Sequence, residues 1–407
     1  MKLSVIIVSY KVRDYLLQCL SSLERAIASV DAEVIVVDNH SQDDSAEAVA
    51  HSFPEVHFID SNVNLGFARA NNKAIRLSQG EYVLLLNPDT VVGEEVLTKA
   101  LNFMDNHPDA GGAGLRMLRS DGSDARESRR GRPTPMSAFY KMIGLCERYP
   151  RNRRFGHYYM GWLPWDKPSQ IDVISGAFCL LRRRALDEVG LLDEAFFMYG
   201  EDIDLSYRLK QGGWNNWYLP LKILHYKGES TEKSSFRYVH VFYEAMLIYF
   251  RKHYRHLSLL FFLPVQLAIY LKAFLALCGM QWSKMVKMMG FVKRTVSDDP
   301  LFIYHGDNEG FISCRQLMER KGLHLEQSVS PGEVQLQKTG ALSSKVKFSE
   351  DSSETTFDRK IYEVFDMRLW QCHEVFDVFS IQPRSNREMA FYWPNEKMVV
   401  TSREIVR

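Results

Sequence analysis

Two adjacent carboxylates, Glu201 and Asp202, lie in the stretch FFMYGEDIDLSYRLKQGG at positions 196–213. Gly200 lets the backbone turn sharply just before the pair, and apolar residues then recur at helical spacing until a double glycine. A carboxylate in such a place can remove a proton from a substrate hydroxyl. It can equally cap the helix without doing any chemistry. Taken alone, the pair is compatible with both interpretations.

Asp204 and Arg208 follow at a spacing of four residues on the same predicted helix. Opposite charges at this spacing attract each other on a helix surface. We expect this pair to be exposed and to contribute little to stability.

Polar residues also follow three apolar runs that are typical of buried strands. Asp38 and Asn39 follow the run EVIVV, and Asp89 follows YVLLL within the turn NPDT. Asn64 lies in NVNLGFARANN, directly after the predicted strand at 56–60. Ligands of open parallel sheets bind at the carboxyl ends of the strands. These residues therefore indicate a nucleotide site. No GxGxxG follows the first strand, which argues against a dinucleotide redox enzyme.

The elements that would position these residues alternate between strand and helix. Predicted strands at 3–9, 33–37, 56–60 and 82–86 are separated by helices at 12–28, 45–52 and a third that reaches residue 79. This alternation predicts an α/β fold with a parallel sheet and right-handed crossovers.

Composition excludes several classes of protein. The chain has 407 residues, a net charge of +1 and six scattered cysteines, so nucleic acid is not an expected partner and reduced thiols are expected. The first apolar run is too short for a signal peptide. We therefore expect the catalytic part to lie in the cytosol.

Five motifs together carry a resemblance to a known family. SVIIVSY, VIVVDNHSQDDS, NLGFARANN, YVLLLNPDT and FFMYGEDIDLSYRL, in this order, resemble bacterial family 2 glycosyltransferases, close to the rhamnosyltransferase-like branch. The resemblance covers about residues 1–230. It implies a GT-A fold, a nucleotide-sugar donor linked to dTDP or UDP, and transfer with inversion to a lipid-linked glycan acceptor in surface polysaccharide synthesis.

The resemblance also implies roles for the residues singled out above. Asp202 matches the catalytic base, supported by Glu201, and a position at a helix start favours its ionised form. Asp89 and His225 match the ligands of Mg²⁺ or Mn²⁺. Asn87 stands where the family often has a second acid, so a single carboxylate remains at this position.

A further group matches residues that bind the nucleotide-sugar, with two arginines that clamp donor pyrophosphate or acceptor phosphate. Alternatively, these residues cap helices, end strands or form a solvated basic surface, and bind no nucleotide-sugar. The predicted residues are Asp38, Asn39, Asn64, Gly66, Asn71, Asn87, Arg129 and Arg130.

We expect three parts: a GT-A domain at 1–235, a helical membrane-associated segment at 236–297, and a degenerate nucleotide-binding-like α/β domain at 298–407. In the middle part, Leu257–Met280 is apolar with basic residues on both flanks. This pattern favours an in-plane anchor or a shallow hairpin on the cytoplasmic face of the bacterial inner membrane. A buried soluble helix pair is the alternative.

The last part contains the strand-like runs IYEVFDM, FDVFSI and EMAFYW and a poor GxGxxG at His305–Gly310. We expect it to be dispensable for the chemistry. A non-catalytic nucleotide-sugar-binding protein that acts in assembly through this part is the alternative function. A processive synthase is disfavoured, because no QxxRW motif follows the acid pair.

Overall fold

The computed structural model describes residues 1–226, 236–254, 300–327 and 359–407, with scattered helical positions between Leu267 and Val286. The elements of the first part, in chain order, are β1 (Leu3–Ser9), α1 (Arg13–Ile27), β2 (Ala32–Asp38), α2 (Ser45–Ser52), β3 (His57–Asp60), α3 (Gly66–Leu77), β4 (Tyr82–Leu86), β5 (Thr90–Val92), α4 (Val96–Asn106), β6 (Ala110–Leu118), α5 (Pro135–Met142), α6 (Leu145–Arg148), β7 (Ser169–Ile171), β8 (Phe178–Arg182), α7 (Arg183–Val189), α8 (Glu201–Gln211), β9 (Asn215–His225) and α9 (Phe236–His253).

The strands of this part form one mixed sheet. Its order is β3-β2-β1-β4-β8-β6-β9-β5, with β7 paired to β9. The first four neighbours are parallel, as predicted from the alternating pattern. Beyond them β8 runs antiparallel between β4 and β6, and β5 pairs antiparallel with the end of β9.

Both faces of the sheet are covered, which explains the unbroken apolar runs. Val5 and Ile7 of β1 pack into the core that contains α1 and α4. Ile6 points to the opposite core, which contains α3, α7 and α8. Successive side chains of a strand alternate between faces, so a strand buried on both sides needs apolar residues at every position.

The last part of the chain forms a second sheet. Its elements are β10 (Leu301–His305), α10 (Asn308–Arg320), β11 (Leu325–Gln327), β12 (Ile361–Asp366), α11 (Cys372–Ile381), β13 (Arg387–Trp393), β14 (Met398–Val400) and β15 (Ile405–Val406). The order is β11-β10-β12-β13-β14-β15, and the first four strands are parallel. The predicted strand FDVFSI is wrong: it lies in α11, where Val375, Phe376 and Phe379 share one buried face.

The crevice where such a sheet would bind a nucleotide is filled by protein groups. Arg368 donates to Asp366 at 2.7 Å and to Asp307 at 3.0 Å. The Tyr304 hydroxyl donates to the same Asp366 carboxylate at 2.5 Å. A side chain added at Gly310 would lie only 2.1 Å from that hydroxyl. The crevice between β10 and β12 therefore leaves no room for a phosphate group.

The two sheets share a hydrophobic core. Phe376 and Phe391 of the last part belong to the same buried cluster as α1 and α4. Glu94, just after β5, accepts hydrogen bonds from the Cys372 N–H at 2.8 Å and the His373 N–H at 3.3 Å. It therefore caps the start of α11. The expectation that this part is dispensable does not fit such packing.

Helix α9 packs against the loop that precedes α8. Ala245, Tyr249 and Phe250 form a buried cluster with Phe196. The predicted boundary at residue 235 therefore separates this helix from the elements that it contacts.

The predicted membrane segment Leu257–Met280 lies largely outside the described residues. Six of its positions are described as helical and exposed: Leu267, Tyr270, Leu271, Phe274, Cys278 and Gly279. Among the described helices, none is long and apolar enough to cross a membrane.

Candidate active site

An open cavity of about 570 Å³ lies at the carboxyl edge of the first sheet. This size suits a small-molecule ligand. Strand ends, the acid loop and helix α9 all contribute to its wall. The predicted site residues that line it are Asn39, Asn64, Gly66, Asn87, Asp89, Arg130, Glu201, Asp202 and His225.

The acid pair is presented by a tightly bent loop. Tyr199 and Gly200 both have positive φ angles, 68° and 87°, and α8 begins at Glu201. A tyrosine rarely adopts this conformation, so the surrounding packing holds it there. A side chain at position 200 would also meet the Phe196 ring at 2.9 Å. The loop thus directs both carboxylates to the cavity from the start of the helix.

A second glycine joins the acid loop to the predicted nucleotide loop. Gly66 has a φ of 77°, and a side chain there would lie 2.5 Å from the carbonyl oxygen of Phe197. That oxygen accepts a hydrogen bond from the Phe67 N–H at 2.7 Å. Only glycine allows this approach, which places the start of α3 directly against the acid loop.

Asp202 is held in one orientation by three donors. Its Oδ1 accepts from the Ile203 N–H at 2.8 Å and its Oδ2 from the Gly176 N–H at 3.2 Å. Oδ2 also forms an ion pair with Arg130. Both side chains are largely buried, so the pair is only weakly screened by solvent.

Glu201 differs sharply from its neighbour. It is 5% exposed, and its Oε2 has no hydrogen-bond partner among the described residues. Burial, with the nearby charge of Asp202, raises the pKa of Glu201 above its ordinary value. A neutral Glu201 can donate a hydrogen bond into the cavity.

Asp89 and His225 are brought together by strand pairing. Thr90 of β5 lies opposite His225 of β9, which places Asp89 Oδ1 3.3 Å from His225 Nε2. Asn87 Nδ2 lies 3.4 Å from the same nitrogen. Within the described ranges, no cluster of three or more His, Cys, Asp and Glu residues is arranged to hold a metal. Two protein ligands fit a cation that takes its other ligands from a diphosphate.

Asn39 and Asn64 organise the nucleotide loop. Asn39 accepts from the Leu65 N–H at 2.8 Å and donates to the Gly66 carbonyl at 3.1 Å. Asn64 accepts from the Gly66 N–H at 3.0 Å. These bonds fix the loop that borders the cavity.

Three predicted site residues lie outside the cavity wall. Asp38 is buried behind it and accepts from the Ser41 N–H at 2.8 Å. Asn71 donates to the Phe67 carbonyl one helical turn back, at 2.9 Å. Arg129 stacks on Trp165, with its guanidinium carbon 3.4 Å from the ring centroid. These contacts give all three a role in the fold, and the stacking turns Arg129 away from the predicted phosphate clamp.

The expectation for Asp204 is wrong. Its side chain is fully buried, where it contacts Arg208 at 2.8 Å, Lys252 at 2.8 Å and His253 at 2.7 Å. Burial alone would raise the pKa of Asp204, but hydrogen bonds from Lys252 and Arg208 lower it below its ordinary value. Helix α9 covers what would otherwise be an exposed i,i+4 pair.

The cavity also contains Lys141, which the sequence did not indicate as a site residue. Lys141 of α5 lies over the Tyr158 ring, 3.7 Å from its centroid, and both line the wall. Helix α9 contributes an apolar side to the cavity. The sequence predicted a helical segment from residue 236 but not the surface against which this helix packs. The lining residues on α9 are Val241, Phe242, Ala245, Met246 and Tyr249.

Comparison with known proteins identifies several relatives. The N-acetylglucosaminyl-diphospho-decaprenol L-rhamnosyltransferase of Mycobacterium tuberculosis is 31% identical over 242 residues, covering 56% of this chain and 77% of the relative. The rhamnosyltransferase WbbL of Escherichia coli is 24% identical over 257 residues, 58% of this chain and 91% of the relative. The low-salt glycan biosynthesis hexosyltransferase Agl10 of Haloferax volcanii is 30% identical over 219 residues, 51% and 62% of the two chains.

The family profile described as "Glycosyl transferase family 2" matches residues 4–190. This range contains all but the first residue of β1, the strands β2 to β8, and the cavity residues Asn39, Asp89 and Arg130. Because the match to the mycobacterial protein extends over three quarters of that relative, the likeness is not confined to one motif. The chain belongs to glycosyl transferase family 2 and is a glycosyltransferase.

Proposed function

We propose that this enzyme transfers a hexosyl or rhamnosyl group, with inversion, from a nucleotide-sugar to a hydroxyl of a lipid-linked glycan in surface polysaccharide synthesis. The observation that carries the proposal is the arrangement of the cavity. The Asp89–His225 pair and the acid pair Glu201–Asp202 line the same cavity. Donor phosphate and acceptor hydroxyl can thus approach different parts of one site.

Asp202 is the proposed base. Inversion requires removal of the acceptor proton as the hydroxyl attacks the anomeric carbon from the face opposite the leaving group. Backbone N–H groups of Gly176 and Ile203 orient the carboxylate. Glu201, buried beside it, donates a hydrogen bond to a sugar oxygen and thereby helps to position the acceptor.

Arg130 has to exchange partners in this mechanism. An arginine paired with a carboxylate stabilises the ionised form. The carboxylate is therefore a weaker base while the pair persists. A phosphate of the donor or of the acceptor competes for the same guanidinium. We infer that substrate phosphate draws Arg130 from Asp202 and frees the carboxylate for proton transfer.

Asp89 and His225 are the proposed ligands of Mg²⁺ or Mn²⁺. A bound divalent cation would stabilise the negative charge that develops on the diphosphate leaving group. Asn87 lies beside them, with its amide nitrogen 3.4 Å from the same His225 Nε2. The dTDP or UDP nucleotide would extend toward Asn39 and Asn64.

A membrane surface is the proposed location, on the cytoplasmic face of the bacterial inner membrane. Two observations support a lipid-linked acceptor. The M. tuberculosis relative is named for a decaprenol-linked substrate, and Leu267, Tyr270, Leu271 and Phe274 are exposed at the spacing of one helix face.

Product analysis with a panel of nucleotide-sugars and a polyprenyl-diphosphate-linked sugar acceptor tests the proposal. We expect one donor to be consumed with formation of a glycolipid of inverted anomeric configuration, determined by NMR. Donor binding without hydrolysis or transfer, across dTDP-, UDP- and GDP-sugars, would instead support a non-catalytic binding protein.

A further inference from the structure

An exposed apolar surface lies next to the cavity on helix α5 and the segment after it. Met136, Phe139, Met142 and Ile143 are between 38% and 51% exposed, and Tyr149 is 46% exposed. Met136, Phe139 and Met142 of α5, with Ile143 directly after the helix, fall within about a third of the helix circumference. Ser137 and Tyr140, on the other side of α5, are buried. We call these five exposed residues the α5 surface.

The charged side chains around the α5 surface are mostly cationic. Arg148, Arg151 and Arg153 are exposed, and in the part of the chain that the structure describes they form no ion pair with an acidic side chain. Glu147 is the single carboxylate between residues 136 and 154, against five cationic side chains in the same range, namely Lys141, Arg148, Arg151, Arg153 and Arg154.

Helix α5 is firmly held in this position. Thr134 and Ser137 form a reciprocal capping box at its start, and Pro135 occupies the first turn. On the inner side, Lys141 contacts the Tyr158 ring and lines the cavity. The helix therefore presents a fixed apolar face to solvent within one turn of the active site.

We propose that the α5 surface is a docking surface for an anionic lipid bilayer, separate from the segment Leu257–Met280. Apolar and aromatic side chains enter the interface between headgroups and acyl chains, while the arginines bind anionic headgroups. Docking in this way brings the cavity wall at Lys141 to the headgroup level, where the phosphates of a lipid-linked acceptor lie.

The combination of side chains favours lipid over a protein partner. The centre of a protein interface is usually depleted of charge, and its charged rim is matched by the partner. Here arginines that have no acidic partner among the described residues flank a small group of apolar residues. This is the pattern of peripheral membrane contacts. The inference rests on the proposed function only for the nature of the acceptor, and its test does not require turnover.

The test is a fluorescent probe on the full chain. Phe139→Cys in a Cys278→Ser background is labelled with an environment-sensitive dye, because Cys278 is the exposed native cysteine among the described residues. Ile312→Cys, at an exposed apolar position of α10, provides the matched control. Vesicles of phosphatidylglycerol and phosphatidylcholine are compared with phosphatidylcholine alone, with vesicle-bound protein measured by sedimentation.

We expect a blue shift of the Phe139 probe on anionic vesicles and none for the Ile312 probe. Replacing Arg148, Arg151 and Arg153 by glutamine should weaken vesicle binding by roughly a hundredfold at low salt, about fivefold for each arginine. Met136→Gln with Ile143→Gln should weaken it by about tenfold. The matched change Ile312→Gln with Ile381→Gln should have no effect, and donor hydrolysis in solution should be unchanged in all variants.

Three results would overturn the proposal. The probe could keep its aqueous emission while the protein sediments with vesicles, which would place the contact elsewhere. A blue shift without vesicles that increases with protein concentration would indicate a second copy of the chain. A blue shift without vesicles at every concentration would mean that another part of the same chain covers the surface. Loss of transfer with intact vesicle binding would count against the proposed function alone.

Discussion

Asp202 and Glu201 are neighbours in the chain but have different surroundings, and this difference separates their proposed roles. Asp202 is oriented by backbone donors and paired with Arg130. Glu201 is buried, and its Oε2 lacks a partner among the described residues. Asp202 is the proposed base once Arg130 has changed partner, and Glu201, whose pKa is raised by burial, is the proposed hydrogen-bond donor.

Asp202→Asn should lower kcat by roughly a hundredfold or more, because the amide cannot accept the acceptor proton. Glu201→Gln should cost less, since glutamine still donates a hydrogen bond. Steady-state kinetics together with donor titration by calorimetry separate turnover from binding. Asp187→Asn, an exposed change on α7, is the control. A fully active Asp202→Asn beside an inactive Glu201→Gln would transfer the role of base to Glu201.

Glu201 should also make stability depend on pH. Its pKa is raised in the folded protein, so the native state holds this proton more tightly than the unfolded chain does. The stability contribution is therefore complete below the unfolded glutamate pKa and is lost as the pH rises toward the folded value. Urea unfolding of Glu201→Gln should show a weaker loss of stability between mildly acidic and alkaline pH. Equal pH slopes in both proteins would contradict the raised pKa.

The Asp89–His225 pair supports a prediction about metal. Chelator should abolish transfer, and Mg²⁺ or Mn²⁺ should restore it. His225→Ala should raise the metal concentration for half-maximal activity by about tenfold or more, because one of two protein ligands is lost. His51→Ala, at an exposed position, should behave as the unchanged protein. Full activity of the unchanged enzyme in excess chelator would remove the metal from the mechanism.

At the scale of elements, helix α9 is attached to the acid-bearing helix α8 by buried charges. Asp204 accepts from Arg208 within its own helix and from Lys252 and His253 of α9. Lys252 also contacts Asp193 at 2.6 Å. These ion pairs at the C-terminal end of α9, together with its apolar packing on Phe196, hold the helix that lines the cavity.

Asp204→Asn should destabilise the protein by about 3 kcal/mol, because three cationic or polar partners lose a fully buried charge. It should also raise KM for the acceptor more than it lowers donor affinity, since α9 lines the cavity. Glu188→Gln breaks an exposed i,i+4 pair with Arg184 and should cost less than about 0.5 kcal/mol. Urea unfolding midpoints compare the two. Equal, small effects would mean that the α8–α9 contact carries little energy.

The success of sequence reasoning varied with the range of the interaction. β1, α2 and β4 have the predicted bounds, because β-branched runs and helix caps are local signals. The pairing of β5 with β9 is not local, although it was partly anticipated through Asp89 and His225. Arg129 and Arg130 are adjacent in sequence and point to different partners, Trp165 and Asp202. No local pattern distinguishes them.

Asp204 and α11 show why the remaining details were missed. An i,i+4 pair is the same in sequence whether solvent or another helix covers it, and here Lys252, 48 positions later, decides the outcome. The run FDVFSI contains enough apolar and aromatic residues for a strand. In the structure it lies in a helix that buries one apolar face, and Glu94, from a distant part of the chain, accepts a hydrogen bond at its start.

At the scale of the whole molecule, the last part of the chain completes the core of the first. Tyr15 donates to the Thr401 carbonyl at 3.1 Å, and the Met389 N–H donates to the Ser120 carbonyl at 2.8 Å. Phe376 is fully buried in the shared cluster. Removing the second sheet would therefore expose apolar residues of α1 and α4 to water.

A chain ended near Asp298 should be poorly soluble, bind a hydrophobic dye and lose most donor hydrolysis. In the full chain, Phe376→Ala should lower stability by about 3 kcal/mol, whereas Ile381→Ala, on the exposed side of α11, should be nearly neutral. Thermal unfolding midpoints and dye binding check both. A soluble, active truncated protein with an unchanged midpoint would show that the shared core is not needed.

The cap that Glu94 provides for α11 also has a consequence for synthesis on the ribosome. The first sheet is translated before the helix that covers part of its back face, and the interval between residues 254 and 376 lasts on the order of ten seconds at usual elongation rates. During this time Glu94 has no helix to cap and the apolar residues of α1 and α4 face solvent. We therefore expect the yield of the enzyme in cells to depend on chaperone supply more than its final stability suggests.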